Sequence, residues 1–280
     1  MKIAISVEST NDLPKEIIQN YDIKVIPYQI VLGDETFKDG EKTNQEMFEF
    51  VDKYKKLPKT NALNEFEYTE YFESLLKDYD AVVHICLSSG LTSSCDNAFR
   101  AAKNLSNVYI VDSLNLSTGI GLLAMYAKEL ANKGEKPETI VQKLNDRVSS
   151  VQATFIVEHL DYLYKGGRCN SLQLLGANLF HIRPRIVVKN GKMSSDKKYR
   201  GQMERVVAKY AQELFTEYNT PDLTRVFVTY SSATHEMINE AIKACAERGF
   251  KQIIQATAGG TVASHCGPNT LGIIYFNDGE

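Results

Sequence analysis

Three segments of the chain hold the residue types from which a binding or catalytic site is made. Leu87-Ser88-Ser89-Gly90-Leu91-Thr92-Ser93-Ser94 offers hydroxyls and backbone amides. Tyr164-Lys165-Gly166-Gly167-Arg168 offers a guanidinium on a glycine-flanked loop. His265-Cys266-Gly267-Pro268-Asn269-Thr270-Leu271-Gly272 offers an imidazole beside a turn. Together they contain every kind of donor that holds a carboxylate or a phosphate. They contain no evident set of nucleophile, base and leaving-group acid. That imbalance points to binding an anion rather than transforming it.

Each segment also admits a plainer reading. The serine-rich run follows a buried-type strand and opens a helix, where free backbone N–H groups attract anions. It reads equally as an ordinary serine N-cap. A serine nucleophile is a third reading, although the Gly-x-Ser-x-Gly elbow is absent. Arg168 has the fixed fork of donors that suits an oxyanion, and its glycines let backbone approach a ligand. A helix end with solvent-facing charge has the same pattern. His265, in a loop, is either polar surface or an imidazole facing a carboxylate, whose charged form is then favoured and whose binding is pH-sensitive. Gly119-Ile120-Gly121-Leu122-Leu123-Ala124 matches Gly-x-Gly-x-x-Ala in form. Gly119 lies several residues beyond its strand and late in the fold, so close helix packing accounts for it better than dinucleotide binding.

Cys86, Cys95, Cys169, Cys245 and Cys266 are odd in number and not closely paired, which argues against a disulfide framework or a zinc site. Cys86 and Cys245 sit in apolar patterns and read as core. Cys169 and Cys266 flank the motifs and read as small core residues or reactive thiols. His84, His159, His181 and His235 form no metal-ligand spacing.

The elements that must position these residues follow from composition and pattern. The 280 residues, 43% hydrophobic and 24% charged, suffice for two ordinary domains with sizeable cores. A net charge of −3 gives no basic field for nucleic acid. No apolar run reaches the ~18 residues of a membrane span. The opening residues read as a strand rather than a signal peptide, and the expected compartment is the cytoplasm. Strands are expected at 2–7, 23–32, 80–87 and 108–111. Helices are expected after Pro14, after the capping boxes Thr43-x-x-Glu46 and Asn64-x-x-Glu67, from Ser94, and over 119–132 and 137–148. The helix after Asn64 is expected to place Phe66, Tyr71, Leu75 and Leu76 near one face. The alternation predicts a mainly parallel sheet flanked by helices, with ligands beyond the carboxyl ends of its strands.

The second half has a different rhythm. It predicts a strand at 153–157, helices at 160–163 and 172–180, a hairpin at 185–188 and 192–194 about Asn190-Gly191, and a helix at 202–218. Strands at 225–230, 252–256 and 271–276 and a helix at 234–248 complete it. The fold class is therefore α/β with two domains: a Rossmann-like parallel domain over 1–150 and a mixed α/β domain over 151–280.

With these residues in place, the chain resembles the DegV family over nearly its whole length. Glu8-Ser9-Thr10-Asn11-Asp12-Leu13-Pro14, Pro58-Lys59-Thr60, Ser88-Ser89-Gly90-Leu91-Thr92 and Leu160-x-x-Leu163-x-Lys165-Gly166-Gly167-Arg168 carry the likeness. Ile182-x-Pro184, Lys198-x-Arg200-Gly201 and His265-x-Gly267-Pro268 complete the family's order and spacing. The resemblance implies a DegV-like fold and the role of fatty-acid-binding subunit of a bacterial fatty acid kinase. A long-chain fatty acid would lie buried at the domain junction. Its carboxylate would meet Thr60 and Thr92, with the backbone of Ser93 close by, and Arg168 and His265 would stand beside it or at its presentation. A separate ATP-dependent kinase would phosphorylate the bound carboxylate, giving an acyl phosphate for phospholipid metabolism. The protein itself would carry and present, with no catalytic residue, metal or cofactor of its own. A transient contact with a membrane surface is the other implied partner, and no nucleic acid is expected.

On this reading residues 172–180 and 186–188 line the acyl tunnel; otherwise they are ordinary core. The chain departs from the family's pattern in Thr60-Asn61-Ala62-Leu63-Asn64, in Ser93 where glycine is common, and in Asn269 after Gly-Pro. Asn tolerates a left-handed backbone, so that turn is expected to survive. The departures leave the carboxyl donors in place and bear on chain preference and kinase docking. Two rival readings remain open: a hydrolase or transferase acting on a small carboxylated or phosphorylated substrate through Ser93, Cys266 and His265, and a small-ligand sensor with an empty acyl pocket.

Overall fold

β1 (Ile3–Glu8) is buried at all six positions. A strand hidden on both faces needs partners on both edges and cover on both sides, which a parallel sheet provides. The computed structural model, which describes residues 1–169 and 182–279, supplies both. β1 pairs in parallel with β2 (Ile23–Ile26) and with β6 (Ala81–Cys86), and β7 (Val108–Asp112) joins β6, giving the order β2-β1-β6-β7. Alternate residues serve opposite cores. Ile5 and Val7 pack with α5 (Thr118–Asn132) and α6 (Pro137–Val148), while Ala4 packs with α3 (Glu65–Leu76) and α4 (Ser94–Ala102). The two expected capping boxes are formed, Thr43 with Glu46 at the start of α2 (Asn44–Tyr54) and Asn64 with Glu67 at the start of α3.

Residues 23–32, expected as one strand, are two in different sheets. β2 ends at Ile26, and β3 (Gln29–Leu32) pairs antiparallel with β4 (Glu35–Lys38) and β5 (Lys59–Asn61). Pro27 stands at the break; it has no N–H for a ladder and ends the first pairing. The short, polar β4 and β5 give no period in the sequence, yet β5 carries Thr60. On α3 the buried pair is Tyr68 and Phe72, and Phe66 is 67% exposed, contrary to expectation. Five positions from Tyr71 put Phe66 about 140° around the helix.

The second sheet has the order β10-β9-β8-β13-β11-β12. Its strands are β8 (Val151–Ile156), β9 (Ile182–Lys189), β10 (Lys192–Arg200), β11 (Arg225–Ser232), β12 (Gln252–Thr257) and β13 (Thr270–Phe276). Only the β11–β12 pair is parallel, which makes this sheet mixed. The β9–β10 hairpin turns on Asn190 (φ 50°) and Gly191 (φ 75°), as the Asn-Gly pair predicts. α8 (Met203–Glu217) and α9 (His235–Arg248) pack together beside this sheet. The expected helix at 172–180 lies outside the described residues.

α5 joins the two sheets. It contacts β1 and β6 on one side and β8 and β13 on the other, and Ile120, Leu122, Leu123 and Ala124 are fully buried. Burying each of the three larger side chains contributes about 1.5–3 kcal/mol. Among the described residues no helix is long and apolar enough to cross a membrane.

Candidate functional site

Two short helices finish the frame. α7 (Leu160–Lys165) ends in Gly166 and Gly167 and leads to Arg168. α10 (Gly260–Cys266) places His265, expected in a loop, in its last turn. Two glycines at its start and only seven residues conceal this helix from pattern reading.

These elements bring four of the five expected site residues around one cavity of about 60 Å³: Thr60 from β5, Thr92 before α4, Arg168 after α7 and His265 on α10. Thr60 Oγ1 lies 2.9 Å from His265 Nε2. His265 Nδ1 is buried without a hydrogen-bond partner among the described residues, and the bare Cα of Gly166 faces it. A Cβ on Gly166 would stand 2.7 Å from that nitrogen, so the glycine is what lets the two distant motifs meet. The tautomer with the proton on Nε2 leaves an acceptor, not a donor, unpaired at Nδ1. In that tautomer Nε2–H donates to Thr60, and the Thr60 hydroxyl proton is free for a ligand. Burial and the neighbouring Arg168 charge lower the His265 pKa to about 4, so the imidazole is neutral here; the charged form is the expectation only for a His265 that faces a carboxylate.

Thr92 Oγ1 accepts from the Ser94 amide at 3.2 Å and lies 3.1 Å from Ser94 Oγ, which itself accepts from the Leu63 amide. Arg168 donates to the Gly166 carbonyl at 2.6 Å, and no carboxylate among the described residues lies within ion-pair distance of it. Ser93 is exposed and does not line the cavity. Ser88 is spent on structure: its hydroxyl donates to the Gly191 carbonyl of the hairpin turn at 2.8 Å. Gly90 permits that docking, since a Cβ there would lie 2.4 Å from the same carbonyl oxygen.

Three lining residues were not among the expected site residues, although Thr10 lies in the opening segment that carries the family likeness. Thr10, Tyr28 and Thr261 are 1%, 2% and 4% exposed. The Thr10 and Thr261 hydroxyls have no hydrogen-bond partner among the described residues. The Tyr28 hydroxyl lies near Thr92 and Ser94 without a bond of normal geometry, and burial pushes its pKa up. Thr10 follows β1 at the carboxyl end of a parallel strand, a position that marks ligand sites in such sheets. Tyr28 and Thr261 carried no comparable signal. Leu87, Leu91, Leu116, Met193, Val262 and Cys266 supply the apolar wall. Leu116, Val262 and Cys266 also border a second cavity of about 30 Å³ that continues toward Phe155 and Ile274. Of the expected tunnel residues, Ile186 is core, and Val187 and Val188 border a different groove.

The arrangement can hold an anion at one end of an apolar space. Unpaired hydroxyls and a guanidinium face the polar end, and the walls beyond are aliphatic. It is poorly arranged for nucleophilic catalysis. All five cysteines are buried and unbridged, and burial pushes the Cys266 thiol up to about 12. His265 is bonded to Thr60 rather than to Ser93 or Cys266.

The family model described as an uncharacterised protein family, DegV, matches residues 2–278. A Thermotoga maritima protein named fatty acid-binding protein is 30% identical over 284 residues, spanning 97% of this chain and 96% of its own. The crystal structure of DegV, a fatty acid binding protein from Bacillus subtilis, matches with a TM-score of 0.86 at 27% identity, covering 99% of each chain. A fatty-acid-binding DegV family protein from Thermus thermophilus shares the fold, with a TM-score of 0.91 at 23% identity over 99% of each chain. Matched over nearly its full length both in sequence and in fold, the chain belongs to the DegV family.

Proposed function

We propose that this protein binds a long-chain fatty acid without forming a covalent bond and presents its carboxylate to a separate ATP-dependent kinase, which forms the acyl phosphate. The observation that carries the reading is the cavity with unpaired buried hydroxyls. Thr10 and Thr261 are left without partners among the described residues, and an unpaired buried polar group costs about 1–3 kcal/mol. A ligand carboxylate with acceptor lone pairs would relieve that cost, with Thr60, Thr92 and Arg168 adding donors. Relatives of this length that are named for fatty-acid binding support the same ligand class. On this reading the protein is a carrier, needs no cofactor, and leaves phosphoryl transfer to its partner. The lipid site lies where residues 1–150 meet residues 151–280, since both contribute to the lining.

Each acyl methylene leaving water contributes about 0.8 kcal/mol, less the ordering costs of binding. The cavity of about 60 Å³ is smaller than typical ligand pockets of roughly 300–1,000 Å³. On this reading the cavity widens on loading, and Leu116, Val262 and Cys266, which line both cavities, stand between it and the second one. Native mass spectrometry of freshly purified protein, followed by lipid extraction, tests the reading. A stoichiometric extra mass that resolves to a free fatty acid is expected. A protein that stays empty when long-chain fatty acids are offered would overturn it.

A further inference from the structure

α10 brings Thr261, Val262, His265 and Cys266 to the cavity, yet nothing in its own sequence fixes where it starts. Its N-cap is Gly259, which has no side chain to cap with. A seven-residue helix led by two glycines is marginal alone. Its first amides are instead taken by two carboxylates from the opening 40 residues. Asp39 accepts from the Gly260 amide at 2.7 Å and from the Thr261 amide at 3.2 Å. Asp12 accepts from the Gly259 amide at 2.7 Å and from the Ser117 hydroxyl at 2.5 Å. The glycines are needed for this approach: a Cβ on Gly260 would stand 2.7 Å from Ile30 Cδ1 and 3.1 Å from Asp39 Oδ1.

The bonds run on into the cavity wall. Ser9 donates to Asp39 at 2.8 Å and accepts from the Tyr28 amide at 3.1 Å. Ser9 is also the chain neighbour of Thr10. One carboxylate is thus tied to the start of the helix bearing Thr261 and His265 and, through Ser9, to Tyr28. We infer that Asp39 is a positioning residue for ligand binding, holding the start of α10, with Asp12 on the preceding Gly259 amide, and so setting where Thr261 and His265 stand in the cavity. Negative charge at a helix N-terminus is favourable, and bonds from amides to carboxylates are strong. Asp12 is buried and lies beside the Asp39 charge, and both push its carboxyl well above the usual range, so the two acids are not interchangeable.

The functional consequence rests on the carboxylate-binding reading, and the test separates the two. Palmitate titrations and imidazole 15N spectra of His265 are recorded for the intact protein, Asp39→Asn and Ser9→Ala. Asp39→Asn keeps one acceptor but loses the charge and the second acceptor. Ser9→Ala removes only the brace. The expected result is palmitate binding weaker by about tenfold in Asp39→Asn and by about threefold in Ser9→Ala, with displaced His265 resonances in both lipid-free variants. Unchanged His265 resonances, with affinities within about twofold of the intact protein, would overturn the inference. If Asp39→Asn does not fold, Ser9→Ala decides by the same criteria. If the intact protein does not bind palmitate, the binding reading fails, and the lipid-free His265 spectra alone decide whether Asp39 positions α10.

Discussion

His265 should make the lipid-free protein sensitive to mild acid. Its pKa is about 4 in the folded protein against an ordinary value of 6.5, because burial and Arg168 disfavour the imidazolium. Between these values the unfolded chain holds a proton that the folded chain does not. Stability is therefore fully present above pH ~6.5 and is lost as pH falls toward 4. The fall from 6.5 to about 4 corresponds to about 3 kcal/mol over the whole window, and about 2 kcal/mol of it is already lost at pH ~5. Urea denaturation of delipidated protein at pH 7, 6, 5 and 4, for the intact chain and for His265→Gln, isolates the effect. Gln cannot take up the proton and keeps a donor for Thr60. Glu213, Glu217 and Asp222, whose hydrogen bonds and ion pairs hold their carboxyls low against the opposing effect of burial, also cost stability in acid, but they are common to both proteins and cancel in the difference. The stability gap between the two proteins should shift by about 3 kcal/mol in favour of the variant from pH 7 to pH 4. A gap constant to within about 0.5 kcal/mol would refute the neutral, desolvated imidazole and with it the proposed tautomer.

Four further outcomes follow from the same geometry. Thr92→Ala removes a hydroxyl proposed to meet the ligand and the acceptor of the Ser94 amide, so calorimetric titration should show about tenfold weaker fatty-acid binding and urea melts a loss of about 1 kcal/mol. Arg168→Ala, which breaks no ion pair among the described residues, should leave stability within about 0.5 kcal/mol while abolishing kinase-dependent acyl-phosphate formation. Gly121→Ala would put a Cβ 2.6 Å from Leu13 Cδ2. Helix propensity alone predicts a gain, but overpacking should make the net a loss of about 1–2 kcal/mol, readable by thermal melting. Cys266 should resist a thiol reagent at pH 8 in the native protein and react once the chain is unfolded, because its thiol is buried and its pKa is about 12.

Much of the fold was legible where a local cause governs it. The capping boxes at Thr43 and Asn64, the Asn190-Gly191 hairpin and the buried run of β1 are each dictated by residues within a few positions of one another. Asn269 adopts the left-handed turn (φ 53°) that its side chain tolerates. What failed locally failed for identifiable reasons. Pro27 divides one apolar run between two sheets, Phe66 sits on the wrong arc of α3, and Gly259-Gly260 disguises a helix whose caps come from elsewhere.

The sequence by itself determined the donor chemistry: hydroxyls, one guanidinium and one imidazole, in segments whose order and spacing resemble the family. It also determined which glycines stand among them, though not what those glycines touch. Only the tertiary structure decided that Thr60 and His265, 205 residues apart, share a hydrogen bond, and that Gly166 makes room for the imidazole. It alone turned Ser88 from a candidate ligand donor into a brace for the hairpin, left Ser93 in solvent, and brought Thr10, Tyr28 and Thr261 into the cavity without hydrogen-bond partners among the described residues. The physical reason is that a residue's type is a property of the chain, whereas desolvation and hydrogen-bond satisfaction are properties of its surroundings. A hydroxyl becomes a ligand donor only where packing has removed water and every competing partner.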